Sequence, residues 1–136
     1  MHVHSGETEH YSTTKPSDIG NWFCKNQLFG ENGLIFTTYH SLHKIQQSGI
    51  PVNTIYFDEA HNSVQKNFIE FVEHYSLNAE RCYFFTATPK HSLTPMKVGM
   101  NEGDIFGQVI CNVPAPKLVK EGYILPPKVK VYKRQM

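Results

Sequence analysis

Short apolar runs organise this chain. Leu34–Thr37, Thr54–Phe57 and Arg81–Phe85 each hold mostly apolar or β-branched residues and are bounded by polar or turn-forming ones, the pattern of buried strands. Between these runs the apolar positions shift to helical spacing. Leu42 and Ile45 share one face of a helix over 39–47 that Thr38 can cap, and Gly49 and Pro51 supply its stop. Val64, Phe68, Phe71, Val72 and Tyr75 keep the same spacing over 63–75. Upstream, a short strand falls at 1–4, Ser17-Asp18 opens a short helix carrying Ile19, Trp22 and Phe23, and 26–33 reads as a loop. Downstream, Pro89, Pro95, Gly99 and Gly103 mark a long surface connection. A strand around 106–112, a short helix over 114–120 and a last strand over 128–132 complete the reading. Strand and helix alternate throughout, which predicts an α/β fold with a three-layer, mostly parallel sheet.

Two of the strands end in polar clusters. Asp58-Glu59-Ala60-His61 follows Thr54–Phe57, and Thr86-Ala87-Thr88-Pro89 follows Arg81–Phe85. Parallel α/β sheets present their sites at the carboxyl ends of strands. A given tetrapeptide occurs by chance in about one chain in a thousand of this length, so two in order, each closing a strand, carry real weight. Plainer roles exist for each. Asp58 and Glu59 suit a helix N-terminus, Thr86 and Thr88 suit the turn at Pro89, and Thr38 suits an ordinary capped helix with Tyr39 buried. An unrelated metal-dependent hydrolase using Asp58, Glu59 and His61 needs further ligands that Thr-Ala-Thr-Pro does not offer.

Composition narrows the classes. A chain of 136 residues, 40% hydrophobic and 18% charged, fits one soluble domain with a real core. It contains no run of membrane-spanning length and no signal-peptide pattern, which points to the cytoplasm, or to a host-cell cytoplasm if the gene is carried by a phage. Cys24, Cys82 and Cys111 are widely spaced and read as buried thiols in a reducing compartment. His2, His4 and His10 have no carboxylate or Cys at ligand spacing and belong to a flexible polar N-terminus. The net charge is only +1, yet Lys117, Lys120, Lys128, Lys130, Lys133 and Arg134 crowd the C-terminal stretch, opposed by Glu121. That stretch suits a phosphate backbone and equally a lysine-guarded edge strand.

Asp58-Glu59-Ala60-His61 resembles the Walker B, or DEAH, box of superfamily 2 helicases and translocases, and Thr86-Ala87-Thr88 resembles their motif III. Thr37-Thr38-Tyr39-His40-Ser41-Leu42 is similar to a Thr-Tyr-x-Ser-Leu segment that many members carry between motifs Ia and II. Gly107 and the passage 116–127, with Glu121-Gly122-Tyr123-Ile124 and Pro126-Pro127, look like a stretch of type I restriction motor subunits and phage-type repair helicases. The resemblance spans roughly 33–133 and is most specific at 58–61 and 86–89. It implies a RecA-like (P-loop NTPase) fold, ATP and Mg²⁺ as cofactors, and nucleic acid, DNA in preference to RNA, as partner. Asp58 would hold Mg²⁺ through its water shell, Glu59 would act as general base, and His61 would lie between the nucleotide site and the other motifs. Thr86 and Thr88 would couple hydrolysis to strand movement, while Thr37, Thr38, Tyr39 and Ser41 would touch the tracked strand.

One signature is missing. The family's Gly-x-x-x-x-Gly-Lys-Ser/Thr loop cradles the phosphates, and none of the nine glycines here precedes a lysine. The second RecA-like domain, with its arginine finger, is likewise unrepresented. The resemblance thus implies an incomplete first RecA-like domain lacking the P-loop strand. Residues 1–32 form an irregular leader with a short helix, 33–127 the later part of the ATP-binding domain, and 128–136 the start of an interdomain strand. Such a chain is expected to be inactive as an ATPase unless another chain supplies the missing parts. It is also expected to be marginally stable or self-associating, because a partial sheet exposes an apolar edge. The alternative is a non-catalytic nucleic-acid-binding or regulatory module.

Overall fold

The structure, a computed structural model, describes residues 1–4 and 11–132; His10, Lys133 and Arg134 fall outside them. The fold is mixed α/β and built on two small parallel sheets. In the first, β1 (His2–Val3) lies between β2 (Ser12–Thr13) and β3 (Phe36–Thr37). The second pairs β4 (Thr54–Phe57) with β5 (Arg81–Phe84), Phe57 opposite Phe84. The single sheet expected from the sequence is therefore divided between β3 and β4.

Helix α1 (Pro16–Leu28) starts where proline presets the backbone. Thr13 fixes its entry: the hydroxyl accepts the Lys15 N–H at 3.0 Å and donates to the Asp18 carboxylate at 2.8 Å. The helix runs into the stretch read as a loop from 26 onward. Helix α2 (Leu42–Ser48) ends at Gly49, whose φ of 72° needs no Cβ accommodation. Thr38 makes no side-chain cap. A 3-10 turn, Tyr39–Ser41, precedes α2, and the Thr38 carbonyl accepts the Ser41 N–H at 3.1 Å. Helix α3 (Ile69–Asn78) begins later than position 63 because 3-10 and turn bonds, such as Gln65 N–H to the Asn62 carbonyl, occupy 60–68. Phe68, Val72 and Tyr75 are buried as their spacing predicts.

Two expected strands do not form. Residues 103–106 make a short helix, α4 (Gly103–Phe106), and 107–114 have no regular structure; after α5 (Ala115–Lys120) the chain is irregular through 132. No strand pairs with either stretch among the described residues, and a β-pattern without a pairing partner has no ladder to join. The core gathers Val3, Ile19, Leu42, Phe57 and Val72 between the two sheets and α1–α3. Val3 is fully buried, so the polar N-terminus contributes a central strand. No helix among the described residues is long and apolar enough to cross a membrane.

Candidate functional site

Parallel pairing brings both polar clusters to one end of the β4–β5 ladder. The ladder continues past the strands: Phe85 donates its N–H to the Phe57 carbonyl at 2.9 Å, and Ala60 donates to the Phe85 carbonyl at 2.8 Å. The second bond requires the chain to double back at Glu59, which adopts φ 47° and ψ 48°. Glu59 is the single non-glycine residue with positive φ among those described. Left-handed backbone at a bulky residue costs about 1–2 kcal/mol and persists where the surroundings impose it, often at functional sites.

His61 ties the clusters together. Its Nδ1 lies 3.0 Å from the Thr86 hydroxyl, 3.4 Å from the Thr88 hydroxyl and 3.4 Å from a Glu59 carboxylate oxygen. Thr86 also accepts the Thr88 N–H at 3.1 Å, so its turn role coexists with the histidine contact. The Asp58 carboxylate accepts the Glu59 N–H at 2.9 Å, and neither acid caps the 3-10 turn Ala60–Asn62. Asp58, Glu59, Thr86 and Ala87 line an open cleft of about 390 Å³ together with Phe85 and Cys111.

Tyr39 reaches the same place from β3. Its hydroxyl donates to the Asp58 carbonyl at 2.7 Å, and its ring stacks on Phe57 and Phe68. Burial first, then the charges of Asp58 and Glu59, push its phenol up to about 12. Thr37 bonds the Val3 carbonyl at 3.1 Å, securing β3 to β1. Thr37, Thr38, Tyr39 and Asp58 line a second groove of about 1030 Å³ that follows the seam between the sheets. Ser41 stays in the 3-10 turn and lines neither cavity.

The sequence offered no signal for Cys111 in the cleft, or for Tyr39 holding the Asp58 backbone. Both are contacts between distant segments that no local pattern encodes. No group of three metal-ligating side chains occurs among the described residues. The cleft can therefore present carboxylates to a cation that keeps most of its water, but it is not a dedicated metal cage.

No family model and no curated protein matches the chain. Among solved structures, it is similar to a nuclease-deletion mutant of the Type ISP restriction-modification enzyme LlaGI, determined in complex with a DNA substrate mimic. The similarity has a TM-score of 0.68 at 22% identity and covers 90% of this chain but 11% of that one. The chain thus shares the fold of a small part of a much longer enzyme.

Proposed function

We propose that this chain is part of the first RecA-like domain of a DEAH-type superfamily 2 DNA motor, with its nucleotide site completed by polypeptide carrying a Walker A loop and a second RecA-like domain. The observation that carries the reading is the bridge at His61, which joins the acidic turn after β4 to the Thr-Ala-Thr turn after β5. Similarity to part of an enzyme solved with a DNA substrate mimic supports the nucleic-acid side.

ATP with Mg²⁺, when bound, would supply the phosphoryl group and the charge that neutralises its oxygens. Asp58 fits a water-mediated hold on the cation, being an exposed carboxylate at a strand end. Glu59, turned back beside it, would accept a proton from an attacking water. His61, Thr86 and Thr88 would pass a change at Glu59 to the second turn. Thr37, Thr38, Tyr39 and Ser41 would meet a DNA backbone from the end of β3, where Tyr39 already bonds the Asp58 backbone.

The test measures ATP hydrolysis and the anisotropy of a labelled single strand on the same chain. Salt-sensitive strand binding without turnover is expected of the chain alone; no binding at low salt would overturn the nucleic-acid reading. In a longer polypeptide that supplies Gly-Lys-Thr, turnover should appear, and Glu59→Gln should lower kcat about 100-fold or more. An unchanged kcat would remove Glu59 from catalysis. The second reading, a binding module without catalysis, stands if the longer polypeptide binds DNA without turning over ATP.

A further inference from the structure

Glu59 is held in its left-handed turn from both sides. The φ angle of a residue orients the rigid peptide before it, and ψ orients the one after it. The peptide after Glu59 is pinned by the Ala60 N–H, which donates to the Phe85 carbonyl at 2.8 Å. The peptide before Glu59 is pinned by the Asp58 carbonyl, which accepts the Tyr39 hydroxyl at 2.7 Å. Together the two bonds fix φ at 47° and ψ at 48°. A third bond, from the Glu59 N–H to the Asp58 carboxylate at 2.9 Å, stays within the turn and does not tie it to another element.

The two clamps differ in kind. The Phe85 carbonyl is backbone that continues the β4–β5 ladder, beside the bond from the Phe85 N–H to the Phe57 carbonyl at 2.9 Å, so any side chain at 85 supplies it. The other clamp is a single side-chain atom, 19 residues before Asp58. Stacking holds it in place: the half-buried Tyr39 ring lies 6.0 Å from the Phe57 ring and 5.6 Å from the Phe68 ring. Its phenol, pushed up to about 12, keeps the proton it donates.

Magnitudes decide whether one clamp is enough. Left-handed backbone at a residue with a Cβ disfavours the turn about 5- to 30-fold, and a net hydrogen bond favours it about 2- to 12-fold. At the middle of these ranges one bond, about fivefold, falls short of strain of about twelvefold, whereas two bonds multiplied, about thirtyfold, exceed it. The ladder bond alone does not hold Glu59, and the phenol tips the balance. What depends on the turn is the carboxylate. One of its oxygens lies 3.4 Å from Nδ1 of His61, and the side chain is 68% exposed, so its direction comes chiefly from the backbone that carries it.

We propose that Tyr39 is a positioning residue for Glu59: its hydroxyl fixes the peptide between Asp58 and Glu59, keeps the Glu59 backbone left-handed and so keeps the carboxylate beside His61. The proposal rests on the reading of Glu59 as the group that accepts a proton. In this role Tyr39 touches no reacting atom and acts through the backbone, separately from any strand contact at 37–41. Phenylalanine in its place keeps the stacked rings but loses the clamp. The peptide before Glu59 then turns over, and the carboxylate swings away from His61.

The experiment reads the Glu59 backbone first, by NMR of the labelled full chain, from the Cα–Hα coupling that separates positive from negative φ. Tyr39→Phe should move that coupling to the negative-φ side while unfolding stays one cooperative transition. A Glu59 that keeps positive φ in the variant, or lacks it in the parent chain, would overturn the proposal. Kinetics in the longer polypeptide that supplies Gly-Lys-Thr, at saturating single strand, give the second readout. Tyr39→Phe should lower kcat about two- to tenfold with KM for ATP unchanged. In a Glu59→Gln background the same substitution should do nothing further, because the phenol acts only through that carboxylate. An undiminished loss in that background would also overturn the proposal. If Glu59→Gln alone leaves kcat unchanged, the reading of Glu59 fails and the positioning role with it. If Glu59→Gln lowers kcat and Tyr39→Phe does not, the positioning role alone fails.

Discussion

The strand β4 and the stretch 106–112 both hold β-branched and aromatic residues, yet only one of them is a strand. Thr54–Phe57 holds a ladder with β5 and buries Phe57 under α3. Val109 and Ile110 stand 82% and 83% exposed in irregular chain. Strand character is a property of the pair and not of the segment. The comparison predicts very different costs for similar truncations. Phe57→Ala should lose about 3–5 kcal/mol of stability, whereas Ile110→Ala should stay within about 0.5 kcal/mol. Urea midpoints at constant slope measure both. A large cost at Ile110 would mean that 106–112 is packed in solution and that the contrast is false.

Alkaline titration probes the paired region alone. Cys82 is pushed up from 9.0 to about 11, and Tyr39 and Tyr75 from 10.0 to about 12, with burial the first cause in each case. A raised pKa means that the unfolded chain loses its proton first. The stability these groups contribute is therefore intact below pH 9.0, declines as pH rises, and is gone beyond about 12. Thermal midpoints should be flat up to pH 9.0 with respect to these groups and fall steeply from 9.0 to 12. Cys82→Ala should remove the earliest part of that fall; an unaltered profile would show that its thiol is not buried in solution.

The backbone of Glu59 gives a smaller and more local contrast. Glycine removes the left-handed penalty of about 1–2 kcal/mol but adds chain entropy worth about 0.5–1 kcal/mol. Glu59→Gly should thus gain roughly 0.5–1 kcal/mol, whereas Glu59→Ala keeps the strain and should gain nothing from the backbone. Equal midpoints for the two variants would mean that the turn at 59 is not held left-handed.

The two polar turns of the candidate site were legible in the sequence because each is contiguous. Asp58 to His61 and Thr86 to Thr88 are each single runs closing a strand, short apolar runs located β4 and β5, and helical spacing located the buried side of α3. What the sequence hid depends on neighbours distant along the chain. Val3 sits in a polar stretch and becomes central only because β2 and β3 flank β1. The strands expected at 106–112, from its apolar run, and at 128–132, from its alternation, have no pairing partner among the described residues. Thr38 has the right identity for a cap, yet the 3-10 turn that follows sets another bonding pattern. Cys111 in the cleft and Tyr75, whose buried hydroxyl has no bonding partner, follow from packing that one-dimensional patterns do not contain.

Tyr39 and Tyr75 separate a bonded from an unbonded buried phenol, the finest form of the same comparison. Tyr39 donates to the Asp58 carbonyl at 2.7 Å, and a net hydrogen bond is worth about 0.5–1.5 kcal/mol. Tyr39→Phe should lose about that much, since the rings of Phe57 and Phe68 still have a ring to stack on. The Tyr75 hydroxyl is buried without a partner, so Tyr75→Phe removes an uncompensated desolvation and should be neutral or stabilising. Opposite signs in paired urea melts are the expected result. If Tyr75→Phe is destabilising, its hydroxyl has a partner in solution, and the packing between α3 and the seam differs from the one described. If Tyr39→Phe is neutral, the Asp58 carbonyl is served as well by water, and β3 does not help to hold the acidic turn in place.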